Sequence, residues 1–211
     1  MNTYSYLALG DSYTIGEQVR IYESFPYQTV QLLRKNGFPF YAPEIIAVTG
    51  FTTDELNSLI DNTSLLPQYD FVSLLIGVNN QYRGRSAENF APEFEGLLKR
   101  AIQFAGNKPA NVFVLSIPDW GVTPFAVESD SKKIAAEIDA FNEVCRSVSE
   151  KQNTHFIDIT FSQREDGGKE EFLANDKLHP SGKEYAKWAA QLSDGIAEEA
   201  KNSRVLTCPS P

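Results

Sequence analysis

Five positions in this chain carry groups suited to acyl chemistry. Ser12 stands in "YLALGDSYTIGE", directly after the apolar Leu7-Ala8-Leu9 and the pair Gly10-Asp11. A hydroxyl at the carboxyl end of a buried strand sits at the rim of a sheet, with its own N–H free to face a ligand. Asp176 and His179 lie three apart in "NDKLHPSGKEY". A short turn can fold such a carboxylate onto one imidazole nitrogen and leave the other as a proton acceptor for a hydroxyl elsewhere. Gly50 in "AVTGFTTDEL" can offer a backbone N–H, and Asn79 in "LLIGVNNQYRG" a side-chain amide. The N–H of Ser12, the N–H of Gly50 and the Asn79 amide, aimed at one point, would form an oxyanion hole.

Taken singly, each signal reads as structure. A serine in a turn, or D-x-x-H-P ahead of a helix, needs no chemistry to explain it. Asp11 reads as a cap that orders the turn by accepting nearby N–H groups. Four elements at separate strand ends shift the reading toward a site.

The elements that must position them follow from the apolar pattern. Runs over 4–10, 44–50, 71–77 and 111–118 are nearly continuously apolar, as for strands of a parallel sheet covered on both faces. The run over 155–161 alternates more and reads as an edge strand. Helical patterns over 24–36, 52–61, 86–105, 130–152 and 181–202 separate the strands and follow the last. Ser24, Thr52 and Thr53 are candidate caps. The alternation predicts one α/β domain over 1–211, with 203–211 as a C-terminal tail. Its fold is a three-layer α/β/α sandwich, flavodoxin-like, around a five-stranded parallel sheet. Ligands of such sheets sit beyond the carboxyl ends of the strands, where strand order reverses. That rule nominates the residues around Ser12, Gly50, Asn79 and Trp120.

Composition narrows the partners. The chain has 211 residues and a net charge of −9, with no basic run to neutralise phosphates, so nucleic acid is not an expected partner. No stretch approaches the ~20 apolar residues of a membrane span. The start, "MNTYSYLALG", lacks the basic and apolar regions of a signal peptide. The expectation is cytoplasmic, or periplasmic or secreted where a signal was removed ahead of the numbered chain. The two cysteines, Cys145 and Cys208, form no metal-ligand pattern, and their pairing is left open. His155 reads as a strand-end residue away from the ligand rim. Dinucleotide, P-loop, zincin and EF-hand motifs are absent, and "GDSYT" is not G-x-S-x-G because Thr14 replaces the last glycine.

With these residues placed, the chain resembles the SGNH hydrolase superfamily, the GDSL-type esterases and lipases. "GDSYT" resembles the first of the family's blocks, Gly50 in "AVTGFTTDEL" the second, Asn79 in "GVNNQ" the third and "DKLHPSG" the fifth, in order across residues 10–182. The resemblance implies a serine nucleophile, Ser12, with Asp176 and His179 completing a triad, and hydrolysis of a carboxylic ester without metal or organic cofactor. Lysophospholipase, thioesterase and acetylesterase are variants it allows. Two positions depart from the pattern. Tyr13 replaces the usual Leu, and Asn80 the usual Asp, so any support of the serine loop from Asn80 runs through neutral hydrogen bonds.

The substrate expectation is a small ester, an acyl lipid or an acylated sugar. Tyr13, Phe51, Tyr82 and Trp120, with Phe125, are candidate substrate-binding residues because aromatic rings crowd the expected rim. Arg83 and Arg85 read as solvated loop residues or, as a second reading, as partners for an anionic group. Two other functions remain on the sequence: acyl transfer through the same acyl-enzyme, and a non-catalytic flavodoxin-like binding module.

Overall fold

The computed structural model describes residues 3–207, the last five of them as backbone only. Five parallel strands form one sheet in the order β2-β1-β3-β4-β5: β1 (Tyr6–Gly10), β2 (Glu44–Ala47), β3 (Phe71–Leu75), β4 (Val112–Leu115) and β5 (His155–Ile157). This is the doubly wound order, and the direction of winding reverses between β1 and β3.

The helices are α1 (Ser12–Ile15), α2 (Phe25–Lys35), α3 (Thr53–Asp61), α4 (Val78–Tyr82), α5 (Ala87–Phe104), α6 (Ser131–Lys151), α7 (Thr160–Asp166) and α8 (Gly182–Thr207). On one face α2 packs on α8, and on the other α5 packs on α3 and α6. The three-layer α/β/α arrangement is the expected one. β1, β3 and β4 are buried along their whole length, as continuous apolar runs require. Leu7, Ala8 and Leu9 are wholly buried, and Trp188 and Tyr185 of α8 close one side of the core.

Several local expectations are corrected. β2 is a second edge strand and is half-buried throughout, so its apolar run marks an edge lying against α3 rather than a strand covered on both faces. The strands stop short of the apolar runs because short helices take over their ends. α4 begins three residues past β3, and α7 begins at Thr160, inside the stretch expected to be β5. At the carboxyl end α8 runs to Thr207, into the stretch expected as a tail, and Cys208 lies outside the described residues. Cys145 is buried in α6 with a free thiol. Ser24 does sit at the N-cap of α2, but its hydroxyl donates back to the Ile21 carbonyl instead of capping. His155 opens β5, stacks on Phe113 and lies against the Ala110 carbonyl and Glu199, at the amino end of the sheet.

Candidate active site

Ser12 is the first residue of α1, which starts where β1 ends. Gly10 makes this junction possible through space. A Cβ on it would lie 2.1 Å from the Thr14 Oγ1 and 2.4 Å from the Leu75 carbonyl of β3, so only glycine fits. Asp11 is the N-cap, as expected, and its Oδ1 accepts the Tyr13 N–H at 3.1 Å. The other oxygen, Oδ2, is buried without a partner among the described residues, and burial pushes the carboxyl up to about 7. At the head of α1 the Ser12 N–H finds no acceptor among the described residues, as expected for a first-turn donor.

Gly50 does not close β2. It lies three residues later in a turn sealed by the Phe51 N–H on the Val48 carbonyl (3.2 Å), and its φ of +83° is the left-handed value such a turn demands at its third position. Its N–H also finds no acceptor among the described residues. The segment after it is tied by polar contacts. Arg83 donates to the Gly50 carbonyl at 2.7 Å and pairs with Glu55 at 3.1 Å. Asn79 donates to the Phe51 carbonyl at 3.0 Å. Thr52 caps α3 in a capping box with Glu55.

Asn80 is fully buried and supports this segment rather than the serine loop. Its Oδ1 accepts the Thr53 N–H at 3.1 Å and its Nδ2 donates to the Thr53 hydroxyl at 2.7 Å, which in turn bonds Glu93. The Glu93 carboxylate lies 3.5 Å from the same Nδ2, so an amide suits a site where an aspartate would meet a like charge. Arg83 and Arg85 are neither free nor facing the cleft's interior: Arg85 pairs with Asp54 at 2.6 Å and with Glu93 at 3.5 Å. The hydrogen bonds from Arg85 and Thr52 hold the Asp54 carboxyl down at about 2.

Asp176 and His179 share one turn before α8. Asp176 Oδ1 accepts the N–H groups of Leu178 (3.1 Å) and His179 (3.0 Å), and Oδ2 lies 2.6 Å from His179 Nδ1. A carboxylate only accepts, so Nδ1 carries the proton and Nε2 is the free acceptor. Burial raises the Asp176 carboxyl, and the hydrogen bonds from the His179 ring and from the two N–H groups outweigh it, leaving the carboxyl below its ordinary range. Tyr13 backs the imidazole, with ring centroids 5.3 Å apart.

These groups meet in a cleft of about 200 Å³ lined by Ser12, Tyr13, Thr49, Gly50, Val78, Asn79, Tyr82, Trp120, Phe125, Leu178 and His179. Ser12 and His179 border the same space without a hydrogen bond between their side chains, as is common before a substrate is seated. Larger hollows of about 570 and 620 Å³ lie along α6 and α7 and beside residues 168–177, and Ser12, Gly50, Asn79 and His179 border neither. Of the aromatic candidates, Tyr13, Tyr82, Trp120 and Phe125 line the cleft. Phe51 does not: it is half-buried and packs against the core. Thr49 and Val78 fall in the stretches beside Gly50 and Asn79 that the strand-end rule nominates, whereas Leu178 was not singled out from the sequence although it adjoins His179.

The sequence over residues 8–187 matches the profile of the GDSL-like lipase/acylhydrolase family. No curated protein matches the chain in sequence. Solved structures share its fold. A lipase/acylhydrolase from Enterococcus faecalis aligns with a TM-score of 0.72 at 21% identity, over 93% of this chain and 97% of its own. Axe2, an acetylxylan esterase from Geobacillus stearothermophilus, aligns with a TM-score of 0.72 at 16% identity, over 92% and 94%. The psychrotrophic esterase EstA from Pseudoalteromonas sp., solved inhibited by monoethylphosphonate, aligns with a TM-score of 0.68 at 18% identity, over 94% and 99%.

Proposed function

The chain belongs to the GDSL-like lipase/acylhydrolase family, and from that premise we propose that it cleaves carboxylic esters through Ser12, His179 and Asp176, with the oxyanion held by Ser12, Gly50 and Asn79. The observation that carries this reading is the Asp176–His179 pair, 2.6 Å from Oδ2 to Nδ1, facing a cleft that also holds Ser12.

With Nδ1 committed to Asp176, His179 Nε2 takes the Ser12 proton as Oγ attacks the ester carbonyl. Asp176 stays ionised and stabilises the imidazolium that forms. The carbonyl oxygen gains charge among the N–H groups of Ser12 and Gly50 and the second Nδ2 hydrogen of Asn79, the first being spent on the Phe51 carbonyl. His179 then gives its proton to the departing alcohol. Water, deprotonated by the same nitrogen, releases the acyl group and restores Ser12.

Covalent labelling by a fluorophosphonate tests this reading. One adduct on Ser12, lost in Ser12→Ala together with nitrophenyl acetate turnover, is expected. Folded protein that takes no label and hydrolyses no nitrophenyl ester, from acetate to octanoate, overturns it.

A further inference from the structure

The cleft has a fixed end, and we infer that the indole of Trp120 is its specificity-determining stop, restricting the enzyme to short acyl chains. This rests on the ester hydrolase reading above.

Size comes first. At about 200 Å³ the cleft is about a third the size of the hollows of about 570 and 620 Å³ elsewhere on the surface, so a long acyl chain must leave it at the mouth or displace one of its walls.

Orientation follows from the chemistry. His179 must protonate the leaving alcohol, so the alcohol end of the substrate faces the Leu178–His179 loop. The acyl end then lies against the remaining lining, to which Val78 and Tyr82 of α4 and Trp120 contribute. Tyr82 and Phe125 are 58% and 48% exposed and form the rim, whereas Trp120 is 7% exposed and closes the interior between them. Its ring meets both edge-on, at 5.3 and 6.1 Å.

Trp120 is held so that it cannot swing aside at low cost. Its Nε1–H donates to Gln81 Oε1 at 2.8 Å, and Gln81 Nε2 donates to Glu137 on α6 at 2.7 Å. The Glu137 carboxylate only accepts, which fixes the amide with its oxygen toward the indole. The backbone beneath is clamped as well. Asp119 exchanges two hydrogen bonds with the Gln163 side chain, at 3.0 and 3.2 Å, and pairs with Arg164 at 2.9 Å. Moving the ring would strand a buried indole N–H and a buried amide oxygen.

The experiment measures kcat/KM for nitrophenyl acetate, butyrate and octanoate in the wild type, Trp120→Ala, Trp120→Leu and Gln81→Met, with Ser12→Ala as control. Wild type is expected to lose at least tenfold between butyrate and octanoate. Trp120→Ala raises the octanoate-to-acetate ratio at least tenfold, and Gln81→Met raises it less, because the ring remains but is unpinned. Trp120→Leu, which keeps the core filled, moves the ratio in the same direction if the alanine variant fails to fold. A wild type that prefers octanoate, or Trp120 variants with the wild-type ratio, overturns the stop while leaving Ser12-dependent hydrolysis standing. Absence of any Ser12-dependent turnover overturns both.

Discussion

Ser12 and Gly50 reach the same cleft from neighbouring strands, and they are held there by different forces. Ser12 follows a central strand with no exposed residue, and its junction is set by packing: Gly10 against Thr14 and the β3 backbone, Asp11 sealed beneath. Gly50 follows an edge strand, and its segment is set by polar ties from α4 and the residues after it, through Asn79, Asn80, Arg83 and Arg85. Packing fails all at once, because a displaced backbone has nowhere to go. Polar ties fail one at a time, and solvent replaces each at modest cost. Damage on the first side therefore appears as lost fold, and damage on the second as lost alignment in a folded protein.

The sharpest way to break the first side is Gly10→Ala. The added methyl collides with a backbone carbonyl, and the loss should reach at least about 3 kcal/mol. Thermal melting should show a fall of roughly 10 °C with activity lost in parallel. A stable Gly10→Ala enzyme would mean the junction is softer than its contacts imply.

Next in size is Asp11→Asn, which tests the buried acid by pH. With its folded carboxyl at about 7 and an unfolded one at about 3.9, the folded chain keeps a proton that the unfolded chain has released across that window. Stability from this group is therefore full at pH 4 and lost as pH rises through 7. Asp11→Asn should match the wild type at pH 4 and exceed it by up to about 4 kcal/mol at pH 8 in denaturant melts. The Gly50 side runs the other way. Asp54 is held low by Arg85 and Thr52, and Glu55 by the Thr52 N–H and Arg83, so their ties are lost as pH falls through those lowered values.

Asn80→Asp restores the residue usual in the family, yet here it should cost about 1–3 kcal/mol by calorimetry, because it removes the donor to Thr53 and faces Glu93. Part of that cost should vanish at pH 4, and a stabilised variant would show that Glu93 is not a charged neighbour. The smallest effect in free energy is Arg83→Met. Its expected result is a kcat about tenfold lower, equivalent to 1.4 kcal/mol, with KM unchanged and melting within about 2 °C of wild type. Arg83→Lys should recover part of it. An equal loss in KM would mean that Arg83 touches substrate instead of holding the Gly50 peptide.

What was legible in the sequence divides along the same line. The buried strands and long helices could be read because their apolar pattern is itself the cause of their burial. Ser12, Asp176 and His179 could be read because each lies in a local motif. α1, α4 and α7 were missed because four, five and seven residues span too few turns for a helical period to appear. The ties of Arg83 and Asn80 join residues 27 to 33 positions apart, and nothing local distinguishes a tethered arginine from a solvated one. Phe51 was misplaced for a related reason: being next to Gly50 in sequence does not decide which way a ring turns.

Asp176 and His179 ride on one turn that is braced at both ends, by the Ala174 N–H on the His179 carbonyl (2.8 Å) and by the Phe125 N–H on the Lys177 carbonyl (3.3 Å). The imidazole and the carboxylate bonded to it are thus mechanically a single part. Thermal jostling of this turn leaves their mutual alignment intact and changes only its offset from Ser12 at the head of α1. Of the three separations among Ser12, His179 and Asp176, one is built into a casting and the other two vary together, so on the proposed reading the machine has a single adjustment, and a bound ester would set it.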